Sequence, residues 1–534
     1  MLASRLLNSF QKHLDKPALW IAGTTYSYRE LQDAVRSMLI ALQHTPDTTV
    51  VAILTEHSLT AYAGILASAI SGRTYLPLNV EYPDERLLKI LERAQPGAVI
   101  LEQSQLERAS RVFSHVDKSM TLIMPNCDDK TDMPKTLAHH QWVNITTTES
   151  VTIEKAYASE DDLSKSLYLI FTSGTTGEPK GILINRRNVL DYLDAIKQLF
   201  DFGPDDRFSQ FFTLSFDLSV HDMFVTWTTG ACLYVPSRSE RIDPVGFARR
   251  HRLTVWFSVP SLATLSIRSR KLKPDSLPVL RHALFCGEAL SCGVAEAFAQ
   301  AAPNAALTNL YGPTEATIAI TSHRFQGAAD LTADSVPIGH AFPSQETLVL
   351  DKNLVLVAPG KIGELWLGGT QIASGYMNDK AQTEAKFCHF SYPGYQSSLW
   401  YQTGDLVEQR PGIGLIYRGR KDEQIKLHGH RIEITEVEQT LQKAAGTPLA
   451  IILTWPVDRS QVTQHLIALV CNSQHRMEDI RREMERYLPL FMVPARIIPV
   501  KEMVFNVNQK LDRKQIINRY QENIIGVENA NNKQ

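Results

Sequence analysis

The chain has 534 residues, enough for several hydrophobic cores and more than one domain. Its 55 Lys and Arg against 57 Asp and Glu leave a net charge of −2, which gives no electrostatic reason to bind nucleic acid or an anionic membrane. The six cysteines are scattered without a CxxC pair, so neither a zinc site nor a disulfide framework is indicated, and a reducing cytoplasm suits them.

Residues 1–14 carry Arg5, Lys12 and His13 without the long apolar core of a signal peptide, and they read as a first amphipathic helix. No apolar run reaches membrane-spanning length. Short apolar runs at 50–54, 98–101, 167–171 and 231–235 then alternate with helix-length amphipathic segments, the pattern of α/β layers with buried parallel strands. Residues 126–166 are polar and poorly periodic, and loops or a subdomain connection are expected there. From Leu348 onward short strand-like pieces between Gly and Pro turns, including 363–367 and 414–417, suit a small barrel-like β subdomain. A boundary is expected near Asp422. It would separate a large N-terminal domain, 1–421, from a small mobile α+β domain, 422–534, with helices at 433–443 and 477–487.

The densest chemistry lies in Thr172-Ser173-Gly174-Thr175-Thr176-Gly177-Glu178-Pro179-Lys180-Gly181, directly after the apolar run 167–171. Glycines let backbone N–H groups turn toward an anion, hydroxyls donate further hydrogen bonds, and the Lys180 ammonium supplies charge for triphosphate oxygens. A Walker A loop is disfavoured, because Pro179 stands where its second glycine would be. The plain alternative is a Gly- and Thr-rich surface turn.

The loop is one of an ordered series: Gly72 to Leu78, Phe216-Asp217-Leu218-Ser219, Asn309-Leu310-Tyr311-Gly312-Pro313-Thr314-Glu315, Gly363-Glu364-Leu365, Ser374-Gly375-Tyr376, Tyr401 to Leu406, Gly419 to Gln424 and Asn508 to Arg513. Together these motifs resemble the adenylate-forming superfamily over nearly the whole chain. Arg186 departs from the pattern, standing where that family usually has histidine.

The resemblance implies ATP and Mg2+ and assigns roles residue by residue. Thr172, Ser173, Gly174, Thr175, Thr176, Gly177 and Lys180 would handle phosphate, Gly287, Glu288 and Ala289 would line the base, and Tyr311 would stack on adenine beside Gly312 and Thr314. Glu315 offers a hard oxygen ligand for magnesium, Asp405 two oxygens for the ribose hydroxyls, and Tyr417 and Arg420 further nucleotide contacts. Lys510 is the expected catalytic cation and Asp422 the hinge. Outside the series Tyr311 reads as core packing, Glu315 as a helix N-terminal carboxylate, Asp405 as a turn residue and Lys510 as solvated charge.

For the substrate, Asp217 matches the position at which amino-acid-activating members hold the α-ammonium; the alternative is a capping Asp before Ser219. The remaining pocket positions are Leu218, His221, Phe257, Leu284, Cys286, Leu310, Ile318 and Ala319, which imply a small neutral side chain. The pattern resembles stand-alone ligases that load L-proline onto a carrier protein in nonribosomal, secondary-metabolite synthesis, with D-alanine carrier-protein ligases the rival and an acyl-coenzyme A synthetase behind both. Residues 514–534 are too few for a carrier domain, so a separate phosphopantetheine-bearing carrier protein is the expected thiol acceptor. A non-catalytic relative should have lost Lys510, Glu315 and Asp405, and all three are present.

Overall fold

The computed structural model describes residues 2–43, 45, 50–125, 133–145, 162–174, 178–330, 335–455, 465–505 and 511–525. The chain forms two compact units. The first comprises Met1–Thr172, Pro179–Asp422 and His428–His430; the second comprises Ser173–Glu178, Glu423–Leu427 and Arg431–Gln534.

The first unit is built on three sheets. A seven-stranded sheet runs Gln141–Ile145, Thr121–Pro125, Ala98–Leu101, Val50–Leu54, Thr74–Pro77, Ser166–Thr172 and Lys180–Asn185, parallel except for the last pair. Val50–Leu54 and Ala98–Leu101 are buried at every position, which is why they appear in sequence as unbroken apolar runs. Within 126–166 the structure adds the strand Gln141–Ile145, paired in parallel with Thr121–Pro125 at the sheet's edge. Its one exposed and three half-buried described residues gave no apolar run to read.

A nine-stranded sheet takes its parallel centre from Ala306–Tyr311, His282–Phe285, Val255–Ser258, Arg207–Ser209, Cys232–Val235 and Pro17–Ile21. The N-terminal strand thus pairs with a segment more than two hundred residues away, Leu19 opposite Leu233. Leu2–Lys12 forms the expected first helix, burying Leu2, Leu6 and Phe10. The region from Gln345 to Arg420 is a five-stranded antiparallel sheet centred on the long strand Leu399–Arg410.

The second unit packs the helices Ile434–Ala445 and Met477–Tyr487 with a three-stranded sheet of Ala450–Trp455, His465–Cys471 and Arg496–Val500. Arg513 ties the start of its last helix to Glu438 at 2.6 Å and to the Ile452 carbonyl at 2.8 Å. Among the described residues no helix is long and apolar enough to cross a membrane. Cys232, Cys286, Cys292, Cys388 and Cys471 are not joined to one another by disulfides.

The helix Leu218–Thr229 directly follows Asp217 and is buried from Leu218 through Trp227. Within it Asp222 is fully buried, and neither carboxylate oxygen has a hydrogen-bond partner among the described residues. Burial therefore pushes its pKa well above the carboxylate range and keeps it protonated. A carboxylic acid whose folded pKa is raised costs stability progressively as pH climbs above its unfolded value. Asp222→Asn should thus flatten the decline of the melting temperature between pH 5 and pH 8 without lowering it at pH 8. Thermal unfolding of both proteins across that range checks this, and an unchanged slope would show that Asp222 is not the titrating group.

Candidate active site

Ser166–Thr172 runs into the Gly- and Thr-rich loop and Lys180–Asn185 returns antiparallel, with Thr172 opposite Lys180, so the loop joins a hairpin. Ser173 donates its hydroxyl to the Arg431 carbonyl at 2.7 Å and accepts the Glu433 N–H at 3.2 Å. The Gly174 N–H is directed to the Glu436 carboxylate at 3.2 Å. Thr175, Thr176 and Gly177 lie outside the described residues, as does Lys510, whose flanks Phe505 and Leu511 are bridged to each other. The Lys180 ammonium stands 5.9 Å from the centroid of the Tyr376 ring. Arg186, buried at the start of the helix Arg186–Leu199, leaves the preceding strand intact.

Four of the expected nucleotide contacts meet in one cluster. Asp405 and Arg420 face each other across adjacent antiparallel strands, and the guanidinium reaches the carboxylate at 2.5 Å. The other Asp405 oxygen accepts the Tyr311 hydroxyl. Arg420 also donates to Asp422 at 2.7 and 2.8 Å and to the Thr403 carbonyl at 3.1 Å. Burial first, then the Asp405 charge, raises the phenols of Tyr311 and Tyr417, so both stay protonated. Gly404 makes this convergence possible. Its φ is +76°, and a Cβ there would lie 2.9 Å from an Arg420 nitrogen and 3.0 Å from an Asp422 oxygen.

Glu315, 1% exposed, sits on the turn Thr314–Ala316 and accepts the Tyr376 hydroxyl at 2.8 Å. Among the described residues no group of three or more His, Cys, Asp or Glu side chains gathers that could hold a metal alone. One buried carboxylate fits magnesium, an ion that takes most of its ligands from water and phosphate oxygens and, when bound, neutralises triphosphate charge. The turn continues through Thr317 and Ile318, whose φ values of 58° and 72° are left-handed although neither residue is glycine. A side chain absent from the sequence expectations holds it there. The fully buried Gln371 amide donates to the carbonyls of Ala316, Thr317 and Ala319 at 3.3, 3.3 and 2.8 Å, while Thr317 donates to the Gln371 carbonyl at 2.6 Å.

The expected substrate positions also converge. Phe257 pairs in register with Leu284, and Thr308 continues the row. Strand alternation therefore puts Phe257, Leu284, Cys286 and Leu310 on one face. These four share a core cluster with Leu218, Ile318 and Ala319, and none of the seven is more than 2% exposed. The His221 ring lies 4.7 Å from Phe257, which also meets Phe212 at 5.1 Å. The Tyr192 hydroxyl lies 2.7 Å from His221 Nδ1, and burial pulls the histidine down to about 3, so it is neutral at any working pH. Asp217 is 4% exposed and makes no capping hydrogen bond, which removes the helix-cap reading. After burial, its charge contributes to raising the Tyr75 and Tyr168 phenols, which places it among buried hydroxyls.

Next to this pocket the Gly287-Glu288-Ala289 segment does structural work. Glu288 accepts the Ser261 N–H at 2.9 Å and the Gly429 N–H at 2.7 Å. A Cβ on Gly287 would meet Val259 at 3.2 Å and Leu218 at 3.6 Å. Of the side chains that organise the site, Tyr376 had a signal in the Ser374-Gly375-Tyr376 motif, whereas Gln371 and Tyr192 had none.

A family model described as AMP-binding enzyme matches residues 6–377. The chain belongs to that family. It is an amino-acid adenylating ligase. The AMP-binding enzyme is 30% identical over 521 residues to the D-alanine--D-alanyl carrier protein ligase of Listeria monocytogenes serotype 4b, covering 94% of this chain and 96% of that protein. It resembles the crystal structure of the Vibrio cholerae adenylation domain AlmE in complex with glycyl-adenosine-5'-phosphate. The TM-score is 0.88 at 32% identity, over 97% of each chain. IdnL7 follows with a TM-score of 0.69 at 28% identity, over 98% of this chain and 99% of that one.

Removing the donor that Tyr376 gives Glu315 tests the carboxylate's role. A hydrogen bond to a buried charge contributes about 1.5–3 kcal/mol. Tyr376→Phe should therefore lower the melting temperature and raise the magnesium concentration needed for half-maximal pyrophosphate exchange. A magnesium titration with an unchanged midpoint would show that the Tyr376–Glu315 contact plays no part in metal binding.

Proposed function

We propose that the enzyme activates an amino acid no larger than alanine as its aminoacyl adenylate and passes it to the phosphopantetheine thiol of a separate carrier protein. The observation that carries this reading is the match, at 30% identity over 96% of their length, to ligases named for D-alanine. L-proline, which sequence alone favoured, has no such relative among them. D-alanine is the first candidate, supported by the relatives that load it and match over nearly their full length. Glycine is the second, supported by the adenylate bound in AlmE.

In this reading Asp217 pairs with the substrate ammonium, which would otherwise be a charge buried without a partner. The substrate carboxylate attacks the α-phosphorus of ATP, the bond to the β-phosphate oxygen breaks, and pyrophosphate leaves. Lys510 stabilises the charge that develops there, while Asp405, Arg420, Tyr311 and Tyr417 hold the nucleoside. The carrier thiolate then attacks the adenylate carbonyl and AMP departs. Asp422 is the hinge between the two half-reactions, at a boundary between domains 1–421 and 422–534.

A pyrophosphate-exchange panel over D-alanine, L-alanine, glycine, L-proline and simple carboxylic acids tests the reading. D-alanine or glycine should lead; L-proline in first place would restore the reading from sequence alone, and a fatty acid in first place would overturn the amino-acid assignment. Asp217→Ala should weaken the preferred amino acid by about 3–5 kcal/mol while leaving ATP binding unchanged. Lys510→Ala should reduce exchange on the order of a hundredfold or more with ATP affinity retained, because its charge acts mainly in the transition state. Exchange at the parental rate would remove Lys510 from catalysis.

A further inference from the structure

Between Arg238 and Lys273 the chain carries nine Lys and Arg and two acids, Glu240 and Asp243, within a protein of net charge −2. Both acids are engaged inside the segment, Glu240 with Arg250 at 2.7 Å and Asp243 with Lys271 at 3.5 Å. The second contact brings the start of the helix Pro244–Arg250 beside the end of the helix Pro260–Arg268. Arg249, Arg252, Arg270 and Lys273 are all exposed. Among these cations stand two of the most exposed large apolar side chains of the described residues, Ile242 at 77% and Leu265 at 53%.

Two arginines sit at a backbone cost. Arg252 and Arg270 follow the ends of the two helices with φ values of 51° and 57°, in the left-handed region where glycine or asparagine is better tolerated. Positive charge complements a helix C-terminus, which accounts for a cation at each end but not for the excess across the whole segment. The location adds the third element. The helix Pro260–Arg268 begins where Val259 and Ser261 meet Gly287 and Glu288, beside the pocket residue Leu218. It ends in the cations about 13 Å away, at 1.5 Å of rise per residue. An extended phosphopantetheine arm covers such a span.

We infer that this basic and apolar surface docks an acidic face of the carrier protein, with its thiol arm directed along the helix Pro260–Arg268 toward the pocket. Charge sets the encounter and the two apolar side chains add contact once water is excluded. This inference rests on the carrier-protein acceptor proposed above.

The test uses the full chain, the phosphopantetheinylated D-alanyl carrier protein of Listeria monocytogenes as acceptor, and the variant Arg249→Glu/Arg252→Glu/Arg270→Glu/Lys273→Glu. A parallel variant with Gln at the same four positions keeps the test informative if charge reversal unfolds the protein. Expected are unchanged pyrophosphate exchange, unchanged aminoacylation of free pantetheine, and a KM for the carrier raised tenfold or more. The Gln variant should fall between, and the parent's carrier KM should rise with salt. Equal carrier KM values in parent and variants would overturn the surface. Loss of exchange alongside loading in a folded variant would do the same, as would vesicles rich in phosphatidylserine binding the parent while carrier loading survives reversal. A parent that loads pantetheine but neither this carrier nor any other would instead overturn the acceptor reading, and the docking surface with it.

Discussion

A carboxylate withdrawn from water must find donors, and the first unit is organised around several that have been withdrawn. Asp217, Glu288, Glu315 and Asp405 are all buried, and isolated charges in such places would cost several kcal/mol each. Three of them are met by groups drawn from distant parts of the chain. Asp405 takes Arg420 and Tyr311, Glu315 takes Tyr376, and Glu288 takes two backbone amides from Ser261 and Gly429. Each solution crosses between sheets or loops, so satisfying the charge also fixes the relative placement of the segments that carry the site.

Asp217 lies at the head of a helix that is buried from Leu218 through Trp227, where water is scarce and electrostatic interactions are strong. The same helix holds Asp222 protonated and His221 neutral. In the proposed reading such a site would select for an ammonium by electrostatics and for a short side chain by volume.

Much of this was legible in the sequence because the chemistry sits in short contiguous motifs where residue type and role coincide. The parallel strands were legible too, since burial on both faces writes itself as an unbroken apolar run, as at Val50–Leu54. What escaped was either polar or long-range. The edge strand Gln141–Ile145 has no apolar run, and Pro17–Ile21 joins its sheet through partners beyond residue 230. Gln371 escaped for a related reason: a buried amide speaks only through its hydrogen bonds, and those of Gln371 reach back some fifty residues. The wall residues of the expected pocket were also legible one by one, but not which of them face one another. Phe257, for one, meets His221 and Phe212 edge-on.

The loop that Gln371 fastens carries Ile318 and Ala319, and it is held in a costly backbone conformation by four hydrogen bonds that involve no ligand. Its conformational entropy is therefore surrendered when the chain folds. A substrate with one methyl group or none offers few atoms with which to immobilise a flexible wall, and its whole interaction energy would be consumed in doing so. Under the proposed function, a wall already frozen would leave that small energy available for affinity, and the rigidity at Thr317 and Ile318 would serve the recognition of so small a ligand.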